Sequence, residues 1–471
     1  MNVSSTLSSF ARPGSVPAAV LQSSIQGQVI TPDDPRYEEA RLAWNRTVAQ
    51  RPELIVAAAS ASDIAEAVTF ARSAGLGVAV QSTGHGVTLP ADGALLILTS
   101  GLKDLRVDET SQTAWIGAGL QWGEVLAETQ KYGLAPLLGS SPGVGVVGYT
   151  LGGGLGWLGR KYGLAVDSVL VFELVTAAGD VVRASASENP DLYWGLRGGG
   201  GSFGVVTGME IRIYPVDMVY GGNLLYPAAD ARDVMRRYRD WIKTNPDELT
   251  TSIVLMNFPP IPQVPEPLRG QSFVMVRGCY AGSLEEGEAL ITGYWRSWKA
   301  PVMDMFGPMP FAEVAKISSD PVNPSASYST GAWLRELSNE AIDTLIQYAL
   351  PQGGPPALTM TEVRHVGGAV ARISDGDCAF SRRDAELLLF AVGMAPVPEM
   401  YARAEQQAEQ MKQALASVLT GGVYMNFVHG QEARDRTKDG YSPEAYARLQ
   451  SIKAAVDPED TFRYSYDFDS K

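Results

Sequence analysis

The sequence has 471 residues, 45% of them hydrophobic, and 52 acidic against 38 basic side chains, for a formal charge of −14. That apolar content is ample for one large or two ordinary cores and argues against a disordered chain, while the acidity, with no Lys/Arg-rich block, argues against a nucleic-acid partner or an anionic membrane surface. Two cysteines, Cys279 and Cys378, build neither a disulfide framework nor a cysteine zinc site, and three histidines, His85, His365 and His429, leave little for a histidine metal centre, so no metal is expected.

In chain order, the opening MNVSSTLSSFARPGSVPAAVLQSS lacks the charged start and long apolar stretch of a secretory signal. No run of about 18 apolar residues follows anywhere. A soluble, cytoplasmic protein is therefore the expectation. Residues 54–59 (LIVAAA) read as a buried strand. Asp63 reads as the N-cap of a helix, with Glu66 three residues on as its capping-box partner; Ile64, Val68 and Ala71 share one face, and Gly75 and Gly77 end it. A strand at 78–80 leads into the loop 81–86, QSTGHG, and a loop leaving a strand end is a common place for ligand contacts. Strands at 94–99 and 114–118 and a helix over 122–132 come next. Residues 169–177 and 181–185 read as a hairpin through Ala178-Gly179-Asp180, Asn189-Pro190 opens a short helix, and 205–213 is a further strand. After Pro215 glycine thins out. PPIPQVPEP at 259–267 reads as a polyproline-type loop, and 335–349, 400–419 and 444–455 as helices. These shifts divide the chain into 1–215, 216–420 and 421–471, the last rejoining the first.

The 49 glycines are about a tenth of the chain, against an average near 7%, and they cluster. G-x-G-x-x-G occurs at Gly143–Gly148, Gly154–Gly159 and Gly199–Gly204. A Rossmann site needs a strand before that motif, a helix opening from it and an acid about 20 residues later. Gly143 instead follows Ser-Ser-Pro, Gly154 lies inside a longer glycine run, and Gly199 follows a helix and precedes a strand, which disfavours a nicotinamide enzyme. Ordinary turns do not explain eight glycines between positions 143 and 159. Glycine loses more entropy on folding than any other residue. Such a run is reasonable where backbone approaches a ligand closely and N–H groups hold an anion such as pyrophosphate.

Four segments, VQSTGHG at 80–86, SPGVGVVGYTLGGGLGWLGRKYGLAVDSV at 141–169, NPDLYWGLRGGGGSFGVVT at 189–207 and YARLQSIKAAVDPEDTFR at 446–463, occur in a familiar order and spacing. They resemble the FAD-binding domain and closing motif of the covalent FAD-linked oxidases of the vanillyl-alcohol oxidase/PCMH superfamily, in the berberine-bridge-enzyme-like and 6-hydroxy-D-nicotine-oxidase-like branch. The resemblance spans most of 35–215 and 420–463, with a looser match between. It implies an α+β fold: a two-subdomain PCMH-type FAD-binding domain, 1–215, a substrate domain with a large antiparallel sheet backed by helices, 216–420, and a C-terminal segment, 421–471, returning to the first.

The resemblance further implies FAD held by a single covalent bond from its 8α-methyl to His85, an imidazole whose neutral form titrates near pH 6.5 and is a suitable nucleophile. Gly84 and Gly86 flank it. Where relatives more often carry an arginine-glycine-glycine lead, this chain has Gln81-Ser82-Thr83-Gly84, so Ser82 and Thr83 offer hydroxyls to phosphate. Many relatives have a second link, from a cysteine to the flavin 6-position. Ser141, just before Pro142, stands there and cannot form it. Tyr149 replaces a histidine that contacts the flavin, and Gly139 matches a small-residue position associated with oxygen access. Gly143, Val144 and Gly145 are expected along the cofactor, Gly148 near its ribityl and phosphate portion, and Gly204 and Val206 at the adenosine half.

On the substrate side, TMTEVRHVGGAVAR at 359–372 resembles the family's strand and turn before a glycine pair. Alternation puts Thr361, Val363 and His365 on one face and Met360, Glu362 and Arg364 on the other. Glu362 is then a candidate base, with a structural ion pair to Arg364 as the equal alternative. YMNF at 424–427 resembles the strand that often supplies a catalytic tyrosine; Phe427 stands at the usual position, leaving Tyr424, Asn426 and Glu362 as candidates. The implied reaction is hydride transfer from an alcohol or amine carbon of a small to medium organic substrate to flavin, reoxidised by O2 to give H2O2, in secondary-metabolite biosynthesis. The alternatives are an oxidative cyclase or oxygenase, a dehydrogenase without an oxygen reaction, and a binding module with no redox role.

Overall fold

The runs LIVA and LLIL are apolar on both faces, the pattern of strands covered from two sides. In the computed structural model, which describes residues 18–374 and 376–468, they are the parallel pair Leu54–Ala57 and Leu95–Leu98. Val78–Gln81 adds in parallel and Gln28–Ile30 antiparallel, giving the order Gln28–Ile30, Leu54–Ala57, Leu95–Leu98, Val78–Gln81. The reading of the N-terminus falls chiefly on residues 1–17, outside the described residues.

The helix Ala61–Ala74 covers this sheet. Its N-cap is Ser60, three residues before the expected Asp63: Ser60 is extended, and its hydroxyl accepts the Asp63 N–H at 3.2 Å. Asp63 lies inside the first turn because its carboxylate accepts the backbone N–H groups of Gln26, Gly27 and Ala59. Gly75, at φ +69°, ends the helix as expected.

A second, antiparallel sheet has the order Leu105–Asp108, Thr113–Gly117, Val205–Arg212, Val169–Val175, Val181–Ser185 and contains the expected hairpin. The helix Pro190–Leu196 forms, but Asn189 makes no side-chain cap; it supplies a left-handed backbone at φ +49°.

The third sheet has eight antiparallel strands, in the order Met303–Asp304, Met218–Pro227, Ser272–Tyr280, Leu249–Asn257, Met360–His365, Leu387–Met394, Ser327–Leu334, with Gly307–Pro310 also pairing Met218–Pro227. One face, with Leu224, Val276, Ile253, Val363 and Leu389, packs on the helices Ala231–Ile242, Asn339–Ala349 and Pro398–Ala414. The other carries a cross-strand row, Asn223, Arg277, Ser252 and Arg364. The expected helix at 335–349 begins only at Asn339, where Ser338 caps it by accepting the Ala341 N–H.

The C-terminal segment returns to the first part of the chain. Val423, Met425, Leu449 and Phe468 share a core with Trp122, Val146, Phe172 and Val206. YMNF is not a strand but a 3-10 turn, Met425–Phe427. It bends because Tyr424 and Asn426 both reach into the glycine segment instead of following a sheet edge. Among the described residues, no helix is long and apolar enough to cross a membrane and no side-chain group could hold a metal.

Candidate active site

The loop after Val78–Gln81 turns at Gly84, where φ is +77° and a Cβ would stand 2.8 Å from Ala43 Cα, so glycine is needed on both counts. The Trp44 N–H donates to Thr83 O at 3.0 Å and the Asn45 N–H to Gly84 O at 3.2 Å. These bonds set the Trp44 indole flat against the His85 imidazole, with centroids 4.2 Å apart and planes 17° off parallel. Thr83 Oγ1 lies 2.8 Å from His85 Nδ1, and His85 Nε2 is buried with no partner. Burial first, and then neighbouring His429, push the imidazole down to about 4, so it is neutral at pH 7.

What a Cβ would meet sorts the glycines. At Gly139 it would stand 2.9 Å from the Tyr149 ring, at Gly145 3.0 Å from Ser82 Oγ, at Gly154 2.6 Å from Tyr149 and at Gly156 1.8 Å from Leu138 O. These positions are glycine because the protein packs on itself. Gly148 differs: it lies inside the helix Val146–Leu151, yet nothing comes within 4 Å. Gly143 meets only Ser141 Oγ at 3.9 Å, and Gly86 only His429 at 3.8 Å. Protein packing leaves these three unexplained. Ser82 Oγ and the Tyr149 hydroxyl are, like His85 Nε2, buried without partners. Buried polar atoms are nearly always paired, so these orphans, two of them on the loop that also holds the open Gly86, mark a place shaped for a polar ligand. The donor set fits FAD.

The other predicted cofactor residues offer backbone. Pro142 O accepts the Gly123 N–H and Val144 O the Trp122 N–H, which lays 142–146 along 120–123. Ser141 is half-buried beside them. Gly204 abuts Leu174, and the Val206 side chain is in the core.

The catalytic candidates are brought to one region and are heavily engaged. The Tyr424 hydroxyl accepts N–H groups from Gly154 at 2.9 Å, Leu155 at 3.0 Å and the Asn426 amide at 3.1 Å, and burial raises its pKa. Asn426 also donates to Tyr149 O at 2.9 Å. Glu362 lies on the face expected and is fully buried; its Oε1 accepts Ser252 Oγ at 2.7 Å and its Oε2 accepts Arg364 Nε at 2.8 Å. Burial alone would raise its pKa, but Arg364, Arg277 and Ser252 together hold it below the usual carboxylate value, so it is ionised.

Beyond Glu362, Arg364 lies over Phe427, 5.0 Å from the ring centre, and Phe427 stacks on Phe390 at 4.0 Å. Arg364 lines a small crevice of about 20 Å³ between the glycine segment and the sheet, which Ser140, Trp157, Thr250 and Ser252 also line. Sequence reasoning missed Trp44, His429 and Phe390.

A family profile described as FAD binding domain matches residues 52–185, and one described as berberine and berberine like matches 423–466. The (R)-6-hydroxynicotine oxidase of Paenarthrobacter nicotinovorans is 31% identical, covering 95% of this chain and 97% of that protein. The crystal structure of 6-hydroxy-D-nicotine oxidase from Arthrobacter nicotinovorans matches with a TM-score of 0.82 at 27% identity, over 95% of this chain and 99% of that one. Wild-type BBE-like 1 of Physcomitrella patens, with a TM-score of 0.83 at 22% identity over 97% and 100%, shares the fold. The chain therefore belongs to the berberine-bridge-enzyme-like branch of the vanillyl-alcohol oxidase/PCMH superfamily and is an FAD-linked oxidoreductase.

Proposed function

We propose that the chain is an oxidase whose FAD is bonded through its 8α-methyl carbon to His85 alone. It takes hydride from an alcohol or amine carbon of a small to medium organic substrate in secondary metabolism, with O2 as final acceptor and H2O2 as product. The observation that carries this reading is the His85 imidazole: neutral, clamped on Trp44, tied at one nitrogen by Thr83 and free at the other. The relative named (R)-6-hydroxynicotine oxidase supports the oxidase reading. FAD, when bound, supplies the two-electron acceptor.

The rest falls to the protein. Thr83 orients His85, which leaves Ser82 as the loop hydroxyl open to the cofactor, and Gly143 and Gly148 give it backbone without side chains. Ser141 has no thiol, and Cys279 and Cys378 are buried elsewhere, so one covalent bond is the limit. Residues 1–215 and 421–471 hold the cofactor and 216–420 cover the substrate. Tyr424, protonated and saturated with donors, shapes the Gly154 turn together with Asn426, and Glu362 is the deprotonated group on the substrate face. Because Phe427 removes the usual phenol and Tyr424 is occupied, an oxidative cyclase or oxygenase, or a dehydrogenase, is the second reading; peroxide release during turnover separates them from an oxidase.

Whole-protein mass measured in denaturant is expected to exceed that of the polypeptide by one FAD, and His85→Ala to abolish the increment. An increment retained in that variant defeats the attachment. A second outcome distinguishes a cofactor face from an ordinary helix. Gly148→Ala is expected to stabilise the flavin-free fold by up to about 1 kcal/mol through helix propensity, while reducing FAD uptake. Thermal melts and the flavin content of purified protein measure the two effects.

A further inference from the structure

The chain carries a charge of −14, yet the site-facing side of the large sheet is locally cationic. Arg277 and Arg364 flank Glu362, at 3.5 Å and 2.8 Å, and all three side chains are buried or nearly so. His365, at the end of the same strand, adds no charge, because burial and Arg160 push it down to about 3. The nearest further carboxylate acting on Arg364 is Asp320, on a partly exposed loop.

Within this cluster the two arginines differ. Arg277 is closed off: Nη2 donates to Ser318 O at 3.1 Å, and Nη1 lies against Glu362 and Met360. Arg364 is held at one edge only. Its Nε donates to Glu362, the guanidinium rests over Phe427, and neither Nη has a hydrogen-bond partner among the described residues. Arg364 lines the crevice together with the hydroxyl residues Ser140, Thr250 and Ser252. A guanidinium fixed at Nε by a carboxylate and over an aromatic ring has lost little freedom still to be lost on binding, and its two remaining nitrogens form a fork that matches a planar carboxylate.

We propose that this small crevice receives only the carboxylate group of a substrate, paired with the Nη atoms of Arg364, so that specificity in the proposed oxidation rests on that charge. A phosphate dianion fits less well: it would bring two charges to a cluster whose net charge is one. The inference rests on the flavin reading only in placing the reacting carbon beside the same crevice.

The test uses the yellow holoprotein and two flat probes of equal size, benzoate and benzamide, each titrated while the flavin absorbance is followed. Benzoate is expected to bind about tenfold or more tighter than benzamide, as a charge-assisted pair in a partly desolvated site requires. Added NaCl should narrow the gap. Arg364→Gln should erase the preference and leave benzamide unchanged, and Arg364→Lys should keep part of it. Equal affinities in the unaltered protein overturn the proposal without any variant, and so does a benzoate preference that survives Arg364→Gln. Colourless protein would defeat the flavin reading instead, so the two failures are distinct.

Discussion

Between pH 7 and pH 5 the flavin-free folded protein is expected to lose about 6 kcal/mol of stability through its three histidines. His85 and His429 are pushed down to about 4 and His365 to about 3, in each case by burial first. His429 adds to the effect on His85, and Arg160 to that on His365; Asp247 opposes the shift at His365 and Glu432 that at His429. An unfolded histidine takes its proton near pH 6.5. Below that value the unfolded state binds protons that the folded state refuses, so stability is full above pH 6.5 and falls with pH until the folded values are reached. Each such histidine contributes about 2 kcal/mol over this interval at about 1.4 kcal/mol per pH unit. The lowered carboxylates, Glu362, Asp457 and Asp63, act in the same direction but below the unfolded carboxylate range, so they matter only under about pH 4.5. Denaturant unfolding at a series of pH values measures the loss. A curve that is flat from pH 7 to pH 5 would show that these imidazoles titrate normally in the folded protein.

The His85 loop was legible in the sequence because its signals are local: a strand end, two flanking glycines and hydroxyl residues in one heptapeptide. Trp44 was not, since its place against His85 depends on backbone bonds to Thr83 and Gly84 that exist only once 43–45 lies beside the loop. The glycine run announced close approach but not what approaches. Gly156 faces a carbonyl and Gly148 faces open space, and both read simply as glycine. Alternation put Glu362 on the correct face, because side chains in a strand alternate whatever their partners are. Its ionisation was hidden, because Ser252 and Arg277 come from other strands. Ser60 and Asp63 are both good caps three residues apart; the tertiary contacts of the Asp63 carboxylate with Gln26 and Gly27 decide which of them caps.

Arg160→Ala is expected to cost about 2–4 kcal/mol, because each buried acceptor left without its donor costs about 1–3 kcal/mol. Arg160 sits on the short helix Gly159–Tyr162, at the end of the glycine segment, and its side chain crosses into the large sheet. There Nε donates to Leu249 O at 3.1 Å, Nη1 to Val366 O and to His365 Nε2, and Nη2 approaches Asn245 O and Asp247. Truncation leaves the Leu249 and Val366 carbonyls without that donor, together with a cavity where the guanidinium was. It also removes a positive charge from beside His365, whose pKa should climb toward its ordinary value. Loss of burial would raise it too, since burial is the larger cause, so the charge-keeping variant Arg160→Lys separates lost charge from lost packing. Equilibrium unfolding gives the energy and the histidine ring protons, followed against pH, give the shift; Arg160→Lys should restore the charge effect on His365 more fully than the stability, because an ammonium keeps the positive charge but lacks the fork that reaches both carbonyls at once. The same rivet fixes the spacing between the glycine segment and the large sheet, since Leu155 and Gly156, a few residues before it, line the crevice together with Ser252 and Arg364. Loosening Arg160 should therefore weaken small-ligand binding at the crevice even in conditions where the protein stays folded.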